Sequence, residues 1–186
     1  MIAYRIIRHE CYILRGGIKM LRIRPFKMSD ADLVVSWLKE ERVFMMWCAD
    51  QFKYPLTVEQ LQDYKDMYEQ DEFGWIFVAL NEEGTPVGHF LMRMADYEKE
   101  SVHLGFIVID PEKRDHGYGK EMVKLAVKYA FELLGVRRVT LGVFDTNPRA
   151  EQCYKKVGFI TETYSKDSLT YGNETWGIFN MAIERE

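Results

Sequence analysis

Apolar residues recur along this chain with two different periods, and the switches between them divide it into elements. From Met20 to Phe26 apolar and basic residues alternate, which predicts an opening β-strand. Ser29 offers a capping oxygen with the carboxylate of Asp32 three residues on, so a helix is expected through Leu33, Trp37 and Leu38. A second helix starts in the same way at Thr57 to Gln60. Between them, Phe44 to Pro55 is rich in aromatic residues and methionine, and Pro55 argues against one continuous helix. That segment either floors a substrate pocket or packs in the core. Gly74 to Leu80 and Pro86 to Met94, joined through Asn81 to Gly84, predict a β-hairpin, and a third strand follows from Val102 to Asp110. Met122, Leu125, Ala126, Tyr129, Ala130 and Leu133 recur at helical spacing, and Gly135 supplies the C-terminal stop. Arg138 to Phe144 is another strand. A shorter helix opens after Asn147 with Pro148 in its first turn and ends near Gly158. Two last strands, residues 159–166 and 174–184, are joined through the turn residues Tyr171 to Asn173.

This order gives a mixed α/β (α+β) chain with antiparallel hairpins first and a strand–helix–strand crossover in the middle. With 186 residues and 47% hydrophobic content, one domain is expected over residues 20–186. Residues 1–19, which end shortly after Gly16 and Gly17, form an extension: an upstream start or expression-derived tail, or an added strand or dimer arm. Arg5, Arg8, His9 and Glu10 interrupt that stretch before a signal-peptide core could form, and no run approaches the roughly 20 apolar residues of a membrane span. The formal net charge of −4 provides no basic patch of the size a nucleic-acid binder needs. Cys11, Cys48 and Cys153 are widely spaced and odd in number, without a Cys-x-x-Cys pair, which fits a reducing cytoplasm better than a zinc site or a disulfide framework.

The sharpest chemical feature is the glycine turn after the third strand, Arg114-Asp-His-Gly117-Tyr-Gly119-Lys120, which opens an amphipathic helix. Glycine lets backbone approach a ligand closely, and the free amides at a helix start attract an anion, so a phosphate-bearing ligand is expected. Gly119-Lys120 is followed by Glu121 instead of Ser or Thr, and the spacer from an earlier glycine is missing, which disfavours an ATP-binding Walker loop. Met122 stands where a dinucleotide fingerprint has its third glycine, and the strand lies mid-chain, which disfavours NAD and FAD.

Arg114-x-x-Gly117-x-Gly119 resembles the coenzyme A loop of the GCN5-related N-acetyltransferase (GNAT) superfamily. A second element, Asn147-x-x-Ala150-x-x-x-Tyr154-x-x-x-Gly158-Phe159, follows the next strand where that family has it. The opening Leu21 to Phe26 and the Gly105 to Val108 strand are similar to the RimJ/RimL-like branch. The resemblance implies the GNAT fold, a mixed, mostly antiparallel sheet of about seven strands flanked by helices, and acetyl transfer from acetyl-CoA to a primary amine by direct attack in a ternary complex. A non-catalytic acyl-CoA-binding or sensing domain is the alternative.

Such a reaction needs an anchored pyrophosphate, a polarised thioester carbonyl, a neutral amine and a proton for the leaving thiolate. By resemblance, backbone amides of His116, Gly117, Tyr118, Gly119 and Lys120, with Asp115 in the same turn, hold the pyrophosphate, and Arg114 and Lys120 add charge. Ile107, Val108 and Ile109 lie along the pantetheine arm, where the family's strand splays at a bulge and offers a backbone amide to the thioester oxygen. Asn147 bonds pantetheine or adjacent backbone within the same motif as Ala150, and Tyr154 donates its proton toward the sulfur. For the general base, His103 stands near the place where some family members carry a glutamate; water-mediated removal through Glu98 or Glu100, or a purely structural His103, are the other readings. Cys153 is expected as a buried, inert thiol. His9, His89 and His116 make no cluster at metal spacing, so no metal is expected.

The acceptor is a protein N-terminus, a polyamine, an aminoglycoside or a small amine. Glu59, Asp63, Asp66, Glu69, Asp71 and Glu72 hint at a cationic one, although a solvated helix face explains the same charges. The family's final strands often pair between subunits, so a homodimer is the expected assembly.

Overall fold

The computed structural model describes residues 21–185, so the expectations placed on residues 1–19, including those on His9 and Cys11, lie outside the described residues. Seven strands form one sheet in the order β1-β2-β3-β4-β5-β7-β6. They are β1 Arg22–Pro25, β2 Trp75–Leu80, β3 Pro86–Asp96, β4 Ser101–Ile109, β5 Arg138–Phe144, β6 Ile160–Tyr171 and β7 Glu174–Glu184. Among the described strands only β4 and β5 run parallel, joined by the crossover helix Tyr118–Tyr129; all other pairs are antiparallel. Because β7 inserts between β5 and β6, the C-terminal strand belongs to the same sheet as the rest.

The helices are α1 Ala31–Trp37, α2 Glu41–Cys48, α3 Val58–Glu69, α4 Tyr118–Tyr129 and α5 Pro148–Val157. One face of the sheet packs against α4 and α5 through Met122, Leu125, Ala126, Leu104, Leu141 and Phe159. The other packs against α1, α2 and α3 through Val34, Phe44, Trp47, Leu61, Leu91 and Phe106. Apolar burial on both faces, not helix propensity, holds these short helices in place.

Local chemistry departs from expectation in three places. The cap of α1 is not Ser29: Asp30, held by Arg24 at 2.7 and 2.8 Å, accepts the Lys27 amide at 2.9 Å from inside a preceding 3-10 turn. Residues Phe44 to Cys48 of the Phe44 to Pro55 segment are helical, in α2, and the break comes at Ala49, not at Pro55. Strand β6 runs on to Tyr171, five residues past its expected end. Its polar residues Thr161, Thr163, Ser165 and Thr170 pair with β7, with a register irregularity between Ser165 and Leu169. The Thr57 cap of α3 is as expected, its hydroxyl accepting the Gln60 amide at 3.3 Å.

Candidate active site

Strands β4 and β5 stay paired only from Ser101 opposite Arg138 to Leu104 opposite Leu141. Beyond that point β4 follows β3 and β5 follows β7, so the sheet opens between them. The opening is a cleft of about 290 Å³ lined by Ile107, Val108 and Ile109 on one side and by Asn147, Ala150, Cys153 and Tyr154 of α5 on the other. Arg114, Asp115 and Gly119 close one end, and Val43, Met46 and Trp47 of α2 form an apolar wall.

The loop end is built from backbone. Asp115 at φ 63° and Gly117 at φ 83° both lie in the left-handed region, which turns successive amides to one side. Gly117 is the N-cap of α4 and has no side chain to satisfy the first-turn amides, which stay available for an anion. A Cβ on Gly119 would lie 3.6 Å from Ile109 and 3.7 Å from Cys153, facing the cleft wall. The Tyr118 side chain is buried in the core under α4, so this residue can serve a ligand only through its amide. His116 is exposed and its Nδ1 lies 2.6 Å from the carbonyl of Arg114. Burial and the neighbouring Arg149 guanidinium lower the pKa of Arg114. Arg149, which also lines the cleft, bonds Asp115 at 2.9 Å.

On α5, the Asn147 side-chain oxygen accepts the Ala150 amide at 3.2 Å, which starts the helix and leaves the Asn147 amide nitrogen free to donate. Tyr154, only 7% exposed, presents its ring to the cleft, and burial raises its phenol above the ordinary value, so it carries its proton at neutral pH. Cys153 is half-buried and reaches the cleft, against the expectation of a thiol shut in the core. Burial raises its pKa as well, which keeps it a thiol, not a thiolate nucleophile.

His103 does not line the cleft. It sits on the paired part of β4, its Nδ1 2.9 Å from the Thr140 hydroxyl, and burial with the nearby Arg93 charge pushes its pKa down to about 4. Lys120 is likewise absent from the lining, as are Glu98 and Glu100 and every acidic residue of α3. On that helix Lys65 pairs with Glu69 and Gln62 with Asp66 at the surface. Sequence reasoning missed Lys113, Arg149 and Val43; the first two carry a visible signal as cations beside the loop and beside Asn147, while Met46 and Trp47 fall in the aromatic and methionine-rich segment expected either to floor a pocket or to pack in the core, and they line the cleft. No group of three or more metal-ligating side chains occurs among the described residues.

The model of the acetyltransferase (GNAT) domain family matches residues 20–160. The chain belongs to the GNAT acetyltransferases. A probable N-acetyltransferase, YjcK of Bacillus subtilis, is 26% identical over 174 residues, covering 88% of this chain and 92% of its own length. The peptidyl-lysine N-acetyltransferase YjaB of Escherichia coli is 36% identical over 108 residues, 58% of this chain and 63% of its own. In fold, the chain is similar to the spermidine N-acetyltransferase of Vibrio cholerae solved with CoA and spermine. The TM-score is 0.77 at 21% identity, covering 88% of this chain and 95% of that one. This GNAT enzyme is therefore an N-acetyltransferase that uses acetyl-CoA as cosubstrate and an amine as acceptor. The uncapped amides before α4 and the long apolar cleft fit a pyrophosphate followed by a pantetheine arm.

Proposed function

We propose that the enzyme acetylates the terminal primary amine of an aliphatic alkylamine, such as a lysine side chain or a polyamine, by direct attack in a ternary complex. The observation that carries this reading is the cleft itself. Its lining combines the cations and uncapped amides of the loop end, the apolar side chains of Val43, Met46 and Trp47, and Tyr154. Methylene chains suit that wall, while an aminoglycoside would leave hydroxyls unpaired against it. The names of the relatives point the same way, to a lysine side chain in one and spermidine in another.

In this reading the amides of residues 116–120 take the pyrophosphate, and Arg114, with Lys113 and Arg149 beside it in the lining, supplies countercharge. Ile107 to Ile109 guide pantetheine, Asn147 donates to it, and Tyr154 protonates the departing thiolate. The ammonium proton leaves to water: among the described residues the cleft lining holds no imidazole, and its one carboxylate, Asp115, is paired with Arg149. The setting is a reducing cytoplasm, supported by the unpaired Cys48 and Cys153 and by the lack, among the described residues, of a helix able to cross a membrane. Self-association through the edge strand β6 completes the reading.

The test mixes purified protein and acetyl-CoA with spermidine, a lysyl peptide with blocked N-terminus, a peptide with a free N-terminus and an aminoglycoside, and follows thiol release. Turnover of the first two above the others is expected. CoA binding by calorimetry without thiol release from any amine would favour a sensor, and turnover confined to the aminoglycoside would overturn the alkylamine assignment.

A further inference from the structure

Within β4 the register against β3 slips: His89 stands opposite Val108 and Leu91 opposite Gly105, so Phe106 and Ile107 together face Phe90. Phe106 has φ 50°, a conformation a phenylalanine holds only when its surroundings enforce it. What enforces it is visible at its carbonyl, which accepts the Trp47 indole N–H at 2.7 Å and lies 3.0 Å from His89 Nδ1.

His89 is 0% exposed and is boxed by the rings of Phe26, Trp47 and Tyr64. Its other nitrogen, Nε2, has no hydrogen-bond partner. A buried polar atom left unsatisfied is destabilising, so an apolar ring would fill this box at less cost. Burial lowers the imidazole pKa to about 4, so at neutral pH it carries one N–H, and the carbonyl contact places that hydrogen on Nδ1. The polar function that remains is the grip on Phe106.

In a trans peptide the C=O and the following N–H point in opposite directions. Fixing the Phe106 oxygen on one side therefore fixes the Ile107 N–H on the other, and Ile107 lines the cleft together with Tyr154. We propose that His89 and Trp47 are positioning residues that hold the Phe106 carbonyl and so aim the Ile107 amide at the thioester oxygen of bound acetyl-CoA. This rests on the acetyl-transfer reading. As the amine nitrogen bonds to the thioester carbon, the carbonyl electron pair moves onto oxygen and is met by the preset Ile107 N–H. Collapse breaks the C–S bond, the sulfur takes the Tyr154 proton and the amine proton goes to water. A preorganised donor at such an oxygen contributes on the order of 10²-fold in rate.

The test uses the full chain with His89→Phe, which keeps an aromatic filler and removes the donor, and His89→Asn, which keeps a donor at the Nδ1 position. Trp47→Phe removes the second donor, from a ring that also lines the cleft. Measured are kcat and KM with a saturating alkylamine, CoA affinity by calorimetry, and the amide signal of Ile107 in ¹⁵N-labelled protein on adding acetonyl-CoA, a ketone analogue of the thioester. Expected for His89→Phe is a kcat loss of about tenfold or more, CoA affinity within about twofold, and a diminished Ile107 response to the ketone. His89→Asn should regain most of the turnover. Wild-type turnover in a folded His89→Phe, or a wild-type Ile107 signal indifferent to the ketone but not to CoA, would overturn the proposal. Should His89→Phe not fold, His89→Asn and the wild-type Ile107 signal decide. Absence of CoA binding by the wild-type protein would instead bring down the acetyl-transfer reading, and this proposal with it.

Discussion

Lowering the pH from 7 to 5 should destabilise this enzyme through two histidines. Burial moves His89 from 6.5 to about 4, and burial together with the Arg93 charge does the same to His103. Both folded-state pKa values lie below the unfolded value, so between about 6.5 and 4 the unfolded chain binds more protons than the folded one. Stability therefore rises with pH across this window; it is fully present above the unfolded value and lost as pH falls through the folded one. A separation of about 2.5 units at 1.36 kcal/mol per unit gives about 3 kcal/mol per histidine over the whole window. Between pH 7 and pH 5 the loss is about 2 kcal/mol each, about 4 together, against a typical total of 5–15. Carboxylates add little there. At Asp30 burial pushes upward, but the Arg24 and Lys27 hydrogen bonds and charges outweigh it, and its contribution fades only below the histidine window. Urea unfolding followed by tryptophan fluorescence at pH 7, 6 and 5 measures the slope, and His103→Gln should remove about half of it. An unfolding free energy that stays level from pH 7 to 5, or a His103→Gln protein with the full wild-type slope, would refute the reasoning.

Four further outcomes are expected. Tyr154→Phe should lower kcat by about 10²-fold without changing KM for acetyl-CoA, since it removes a proton donor and little contact area; equal turnover in the thiol-release assay would end the acid role. Gly119→Val should fold with a near-normal melting temperature, because a Cβ there meets only ordinary contacts at 3.6 and 3.7 Å. Its branched methyls face the cleft, and calorimetry should find CoA binding weakened by about tenfold or more. Iodoacetamide should modify Cys153 slowly at pH 7 and faster at higher pH, as burial holds the thiol protonated. CoA should protect it, and equal labelling with and without CoA would show that the cleft is not the CoA site. Asp30→Asn breaks a paired carboxylate and leaves Arg24 uncompensated. Because the Arg24 side chain is 23% exposed, the cost is about 2 kcal/mol by urea unfolding at pH 7, below that of a fully buried pair; an unchanged midpoint would count against the pair.

Where local chemistry and burial agree, the sequence predicts the structure closely. The hairpin of β2 and β3, the β4–α4–β5 crossover and the Asn147 cap of α5 each combine a hydrophobic period with a turn or capping residue at the right place. Helix α2 escapes because Phe44, Met45, Met46, Trp47 and Cys48 are apolar without interruption, so no face is marked by period, and the stop at Ala49 with φ 56° has no glycine to announce it. The acidic run on α3 misleads in the opposite sense. Its charges are plain in the sequence, but the helix buries Leu61 and Tyr64 and leaves its carboxylates to solvent. His103 misleads by its position along β4: it lies on the stretch still paired with β5, short of where the strands part.

The bulge at Phe106 is hidden for a deeper reason. Along β4 every second residue is buried, Val102, Leu104, Phe106 and Val108, which by a period of two places all four on one face. Yet Val102 and Leu104 pack under α4, while Phe106 and Val108 pack with Trp47 under α1 to α3. The extra residue turns the strand over between Leu104 and Phe106. On a sheet with one wet face such a slip would expose a hydrophobic row, and the pattern would betray it. Here helices cover both faces, so an apolar alternation satisfies either arrangement and hydrophobicity is silent. The remaining signal is polar. An imidazole at position 89 stands between Gly88 and Phe90 in the otherwise apolar run from Pro86 to Met92, and a buried histidine must find an acceptor. The acceptor is the one carbonyl that regular pairing across β3 and β4 would have used up, and the bulge is what frees it.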